Sequence, residues 1–139
     1  MSGSTAGIGF AIAATLASEG AKVVVNGHAE ARDSTALAQI RQRVKSADVR
    51  GVDADLRTSA AVEMLVKQIP DANILVNNRG IFEIKPFAET SDADWLRLFE
   101  VNVLSGARLA RHYLPSMVEK HWGRIIFISS ESGQHIPRQ

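Results

Sequence analysis

Within its first nine residues the chain carries Gly3-Ser4-Thr5-Ala6-Gly7-Ile8-Gly9, which runs directly into a helical pattern from Phe10 to Ala17. A glycine-rich turn opening a helix lets backbone N–H groups come close to a pyrophosphate. The helix adds its positive dipole end and its unpaired first N–H groups. Such a turn normally caps a buried strand, and here only Met1-Ser2 stand before it. The turn therefore points to a nucleotide-binding α/β scaffold that lacks part of its leading element, although taken alone Gly3, Gly7 and Gly9 also suit a plain helix-entry turn.

The rest of the chain alternates apolar runs with helical periods. Ala21 to Asn26 is short, β-branched and bounded by Gly20 and Gly27, which predicts a buried strand. Leu37, Ile40 and Val44 fall at three- and four-residue spacing, predicting an amphipathic helix over 31–45. Val49 to Val52 forms a weak strand leading into Asp53-Ala54-Asp55. Thr58 is placed to cap a helix bearing Val62, Leu65, Val66 and Ile69, which Pro70 closes. Asn73 to Asn77 is the clearest central strand. Ser91-Asp92-Ala93-Asp94 resembles a capping box with Asp in place of Glu. It opens a long helix whose stripe of Trp95, Leu98, Phe99, Val103, Ala107, Ala110 and Leu114 is expected to be core. After Gly123, Arg124 to Ser129 predicts another buried strand. Continuously apolar strands alternating with helices imply a parallel sheet covered on both faces. With no linker or repeat, residues 1–139 read as one unit.

Bulk properties narrow the function. The 139 residues are 45% hydrophobic with a formal net charge of +1, which suits one ordinary soluble domain without a basic stripe for nucleic acid. Cysteine is absent, so disulfides, thiolate metal sites and a cysteine nucleophile are excluded. The start lacks a signal-peptide pattern, and no apolar run approaches the ~20 residues that span a bilayer. A cytoplasmic location, with neither membrane nor nucleic acid as a partner, is the expectation. The histidines His112, His121 and His135 show no metal-ligand spacing, so no metal site is expected and all three read as surface residues.

Five pieces in order carry the strongest signal: the glycine turn, then Asp55-Leu56, then Asn77-Asn78-Arg79-Gly80, then Asn102, then Ile128-Ser129-Ser130. Together they resemble the classical short-chain dehydrogenase/reductase family over essentially the whole chain. The resemblance implies a Rossmann-like, doubly wound parallel sheet. It also implies an oxidoreductase moving hydride between NAD(P) and a carbonyl or alcohol substrate, and an oligomer built through the long helix and the one before it.

On that resemblance, Gly3, Ser4, Thr5, Gly7, Ile8 and Gly9 hold the cofactor pyrophosphate, with Leu56 and Gly80 also at the cofactor. Asp55 accepts from the adenine amino group, although an Asp just ahead of a helix also serves as a plain cap. Asn77 braces the sheet and lines the adenosine ribose site, where a strand-end amide also satisfies loop backbone. Asn102, expected to be partly buried between Val101 and Val103, helps order a water linked to a catalytic lysine. Its plainer reading is an amide satisfied by nearby backbone. Ser130 is the catalytic serine. Arg79 stands where the family usually has alanine, and a long cation there either crowds the cofactor or reaches a phosphate. Phe82, Phe87 and Ile81 either edge a substrate cleft or anchor a loop.

Cofactor choice has a physical basis. An acidic residue ending the second strand binds the ribose 2′-OH of NAD and repels the 2′-phosphate of NADP. Asn26-Gly27-His28 has no acid there, so NADP is favoured, with a role for His28, and NAD stays open because Glu30 is near.

Family catalysis depends on a Tyr-x-x-x-Lys pair, and this chain has one tyrosine, Tyr113, with Met117 four places on. The chain ends nine residues after Ser130, short of where the resemblance puts the tyrosine. In the family strand order, 3-2-1-4-5-6-7, the absent first strand lies between the strands at Val23 and Ile74. Their facing edges are therefore expected to be unpaired in the sheet centre. The expectation is an incomplete fold, with the first and C-terminal strands missing, that does not turn over substrate. The rival is a non-catalytic nucleotide-binding or interaction module. A Rossmann-like methyltransferase ranks third, since it has no role for Asn77-Asn78 or Ile128-Ser129-Ser130.

Overall fold

A computed structural model describes residues 1–27 and 30–131, with residues 30–33 as backbone only. Parallel strands alternate with helices: α1 (Gly7–Ser18), β1 (Val23–Gly27), α2 (Glu30–Arg43), β2 (Val49–Asp53), α3 (Ser59–Gln68) and β3 (Ile74–Asn77). A 3-10 turn at Phe87–Glu89 then precedes α4 (Asp92–Phe99), a π-helical turn (Glu100–Leu104), α5 (Ser105–Glu119) and β4 (Arg124–Phe127). Local chemistry sets the helix starts. Thr58 Oγ1 accepts from Ala61 N–H at 3.2 Å, and Ser91 and Asp94 form the reciprocal capping box.

β1 pairs with β2 in register Val23↔Val49, and β3 pairs with β4 in register Ile74↔Arg124, both parallel. Alternate residues of β1 point to opposite faces. Val23 and Val25 pack with Ala13, Ala17, Ala36 and Ile40 of α1 and α2. Val24 packs against a second core of Val52, Leu56, Leu65, Leu75, Leu109, Tyr113 and Met117, fed by α3 and α5. Helices therefore cover both faces, the doubly wound arrangement that continuously apolar strands predict.

The sheet centre lacks a strand, as expected: among the described residues β1–β2 and β3–β4 are two separate two-stranded sheets. The edges of β1 and β3 share a neighbour at their carboxyl ends: the chain's own first residues. The Met1 amine donates to Val24 O at 2.9 Å, Ser2 N–H to Val76 O at 3.0 Å, and Ser4 N–H to Asn26 O at 3.1 Å. Burial of unpaired backbone groups is costly, and these first residues remove that cost where they reach. Below them lies a cavity of about 480 Å³ lined by apolar side chains that include Val24, Leu65, Leu75, Val76, Leu109 and Tyr113.

Met1 sits at the mouth of that cavity, and burial pushes its amine down from 8.0 to about 6. The folded state therefore disfavours the ammonium, and between pH 6 and 8 the unfolded chain binds more protons than the folded one. Stability must rise across that window, by about 2–3 kcal/mol for a shift of this size. Thermal unfolding at pH 6 and pH 8 checks this in a chain that keeps Met1. An N-acetylated chain should lose the slope, and an unchanged slope would place its origin elsewhere.

The long helix differs from expectation. Trp95, Phe99, Val103 and Leu114 are about half exposed, and the buried positions are Val101, Ser105, Leu109, Tyr113 and Met117. The π turn adds a residue to the helical repeat, and small Ser105 and Gly106 let the helix press on the sheet. A Cβ on Gly106 would lie 2.7 Å from Phe127 Cε1 and 3.2 Å from Asn77 Cγ. Periodicity alone does not say which of two apolar faces meets the strands. β4 is likewise exposed rather than buried, with Ile126 and Phe127 uncovered although α5 packs on it. No described helix is long and apolar enough to cross a membrane.

Candidate nucleotide site

The glycine turn lies at the carboxyl ends of the strands, between β1 and β3. Gly3 and Gly7 take the left-handed conformation, at φ +57° and +55°, which an L side chain adopts only with strain. A Cβ on Gly9 would lie 2.2 Å from Gly3 O and 2.5 Å from Asn78 Nδ2, so the helix start is pressed against the turn. Over Gly7 nothing lies within 4 Å, and Ile8 is exposed. Ala6 caps α1 without a side-chain bond, so the first N–H groups of the helix stay open.

A serine pair holds the turn. Ser4 is fully buried, and its Oγ donates to Met1 O and accepts from Asn26 N–H, both at 2.9 Å. Its hydroxyl and its N–H are therefore spent within the fold. Ser2 Oγ accepts from the N–H groups of Asn78 at 3.0 Å and Arg79 at 3.1 Å, while Asn78 Nδ2 donates to Gly3 O at 2.9 Å. Ser2 and Asn78 thus tie the turn to the end of β3. Sequence reasoning left Ser2 aside, and its one signal was a small hydroxyl just ahead of the glycines.

Asn26 is 1% exposed, and its Nδ2 donates to Gly27 O, Val52 O and Ala54 O at 3.0–3.1 Å, stitching the ends of β1 and β2. Leu56 is fully buried in the core, which leaves its backbone alone available to a ligand. Asn77 is buried at the end of β3 with both amide atoms unpartnered among the described residues. A buried amide left unpaired is costly, so the loop-backbone alternative for Asn77 finds no support. Asp55 lies two residues past β2 and accepts from Arg57 Nε at 2.7 Å and from Arg79 Nη2 at 3.1 Å. The Arg57 guanidinium, with Arg79 adding to it, holds the Asp55 carboxyl below the usual carboxylate range.

On the other side of the site, Asn102 lies in the π turn. Its amide accepts from Ile81 N–H at 2.8 Å and donates to Ile81 O at 2.9 Å, so it fixes the loop after β3 beside exposed Gly80. Asn102 is exposed rather than partly buried, its side chain reaching out of the helix to the Ile81 backbone. Ser130 is exposed just past β4. Phe82 and Phe87 are more than four-fifths exposed, anchored to no core. Tyr113 is buried, its hydroxyl donates to Ile69 O at 2.7 Å, and burial pushes its pKa up to about 12. His112 and His121 are on the surface as expected, and no described group of side chains is arranged for a metal. His28 and His135 lie outside the described residues.

Comparison with known proteins agrees with this architecture. A family model described as short chain dehydrogenase matches residues 1–138. The chain is 43% identical over 132 residues to the uncharacterized oxidoreductase YvaG of Bacillus subtilis, covering 95% of this chain and 50% of that protein. It is 35% identical to a D-beta-hydroxybutyrate dehydrogenase of Cupriavidus necator, over 96% of this chain and 52% of the relative. Among solved structures, an actinorhodin polyketide ketoreductase with NADPH superposes with a TM-score of 0.88 at 31% identity, covering 97% of this chain and 53% of that one. The chain spans about half the length of the curated relatives it matches.

Proposed function

Since the chain belongs to the short chain dehydrogenase family, we propose that it forms the cofactor-binding half of a nicotinamide-dependent oxidoreductase, with a small carbonyl or alcohol as substrate. The observation that carries this reading is the cradle at the carboxyl ends of β1 and β3. There two left-handed glycines and an uncapped helix start leave open space over Gly7. The residues fit a dinucleotide: open N–H groups for the pyrophosphate, and the orphaned Asn77 amide on the same strand ends. When bound, the nicotinamide supplies the hydride acceptor or donor.

Gly3, Thr5, Gly7, Ile8 and Gly9 line the cradle, and Ser4 braces it from beneath. NADP is the preferred form, since no carboxylate ends β1 to engage a 2′-OH. An NADPH-bound structural relative is consistent with that preference. Asn102 holds the loop after β3 through Ile81, and Ser130 at the end of β4 is assigned to the substrate oxygen. Neither is paired with a tyrosine acid in this chain, because Tyr113 is buried and bonded to Ile69. The intact enzyme is expected to act as a homo-oligomer, with the exposed apolar side of α4 and α5 available for it.

Titration of the 139-residue chain with NADPH and NADH tests the reading. Saturable nicotinamide fluorescence is expected, tighter for NADPH. At a hundredfold excess over Kd it should bring about 2.7 kcal/mol of stabilisation. Carbonyl reduction by this chain alone is expected to be negligible. Absence of both fluorescence change and thermal shift would leave the non-catalytic module as the better reading.

A further inference from the structure

We infer that Arg79 is a latch across the nucleotide crevice: its guanidinium holds Asp55, and a dinucleotide's adenosine end enters only by displacing it. The inference rests on the cofactor reading above and concerns how tightly that cofactor is held.

The geometry starts from strand order. β2 lies beside β1, residues 1–4 lie between β1 and β3, and β4 lies beyond β3. Asp55 follows β2 and Arg79 follows β3, so their contact at 3.1 Å passes over the carboxyl end of β1 and the glycine strap. In open α/β sheets that is the line along which a dinucleotide lies.

The Arg79 backbone is held against the glycine turn. Its N–H donates to Ser2 Oγ, and a Cβ on Gly3 would sit 3.2 Å from Arg79 Cα. Only the side chain is left to move. That side chain is 13% exposed, so it lies down across the site instead of projecting into water. Its Nε is buried and unpartnered among the described residues, an arrangement with a standing cost that displacement would relieve.

Asp55 is equally committed. Oδ1 takes Arg79 Nη2 and the Arg57 N–H, and Oδ2 takes Arg57 Nε. An adenine amino group approaching this carboxylate finds both oxygens engaged. Arg57 is well exposed and turns away at little cost, whereas Arg79 is the inner partner. Of the two roles open to a cation at this position, the contact supports crowding of the adenosine end over capture of a phosphate.

A latch closed in nine molecules of ten lowers apparent affinity about tenfold. Arg79→Ala is therefore expected to bind NADPH about tenfold more tightly than the parent chain. Reduced nicotinamide mononucleotide, which has no adenosine, should bind both equally. Thermal unfolding confirms that the variant is folded, and Arg79→Gln, which keeps the buried stem, replaces it if cooperativity is lost. If the parent chain binds NADPH and the variant binds no tighter, the latch is overturned and the cofactor reading stands. Weaker binding by the variant also overturns it, by making Arg79 a ligand. If neither chain binds NADPH, both readings fall.

Discussion

Joining about five alternating apolar, β-branched residues ahead of Met1 should raise the melting temperature by on the order of 10 °C. The first residues already bond to Val24, Asn26 and Val76 in the gap between β1 and β3, and the cavity of about 480 Å³ continues that line. Parallel ladders alternate. Val23 and Gly27 bond toward β2, so Val24 and Asn26 face the gap. On the other side Val76 faces it and accepts from Ser2.

An added strand would use these edges and turn two two-stranded sheets into one continuous sheet. Its side chains would pack on Leu65, Leu75, Leu109 and Tyr113, each contributing about 1.5–3 kcal/mol against an ordering cost of about 1.5 kcal/mol per residue. It would also replace a buried amine by a peptide group. At pH 9, where the Met1 amine is neutral in both states, an extension of equal length made of glycine and serine should leave the melting temperature unchanged. If both extensions behave alike, the cavity is not a strand site.

Substitution of Gly9 by alanine is expected to destabilise the fold by about 2–4 kcal/mol and to weaken NADPH binding more than tenfold. The added Cβ would meet Gly3 O at 2.2 Å, and that neighbour is backbone in a turn pinned by Ser4 and Asn78. Relief requires α1 to move off the turn, which spoils the cradle for a pyrophosphate. Gly20 is the control. Its φ is +83° with nothing within 4 Å, so Gly20→Ala should cost about 1 kcal/mol of backbone strain and leave binding alone. Urea unfolding and NADPH titration of the two variants separate the effects. Unaltered binding in Gly9→Ala would remove the glycine turn from the site.

Both experiments depend on features that differ in how far the sequence reveals them. Short-range chemistry was legible. Thr58 and the Ser91–Asp94 pair mark their helix starts because a cap is completed within three residues. β1 and β3 declare themselves by short apolar, β-branched runs, β2 only weakly, and the glycine turn marks its own conformation because φ > 0 leaves few residue choices. The family followed from motifs in order. Their spacing along the chain reflects the spacing of strand ends in the sheet.

What lies across the sheet was not legible. Ser2 bonds Asn78 over 76 positions, and Arg79 bonds Asp55 over 24, with no local pattern to announce either. The long helix offered two apolar sides. The choice of Val101, Ser105, Leu109, Tyr113 and Met117 came from a π turn and from the close approach at Gly106. The sequence by itself determined the layered α/β class, the helix starts and the glycine turn, since each is a matter of neighbours within a turn or two of chain. Only the tertiary structure decided that the first four residues substitute for the end of a strand, that β4 stays exposed, and that Arg79 lies on Asp55. Those outcomes depend on which surfaces meet once strands distant in sequence are laid side by side.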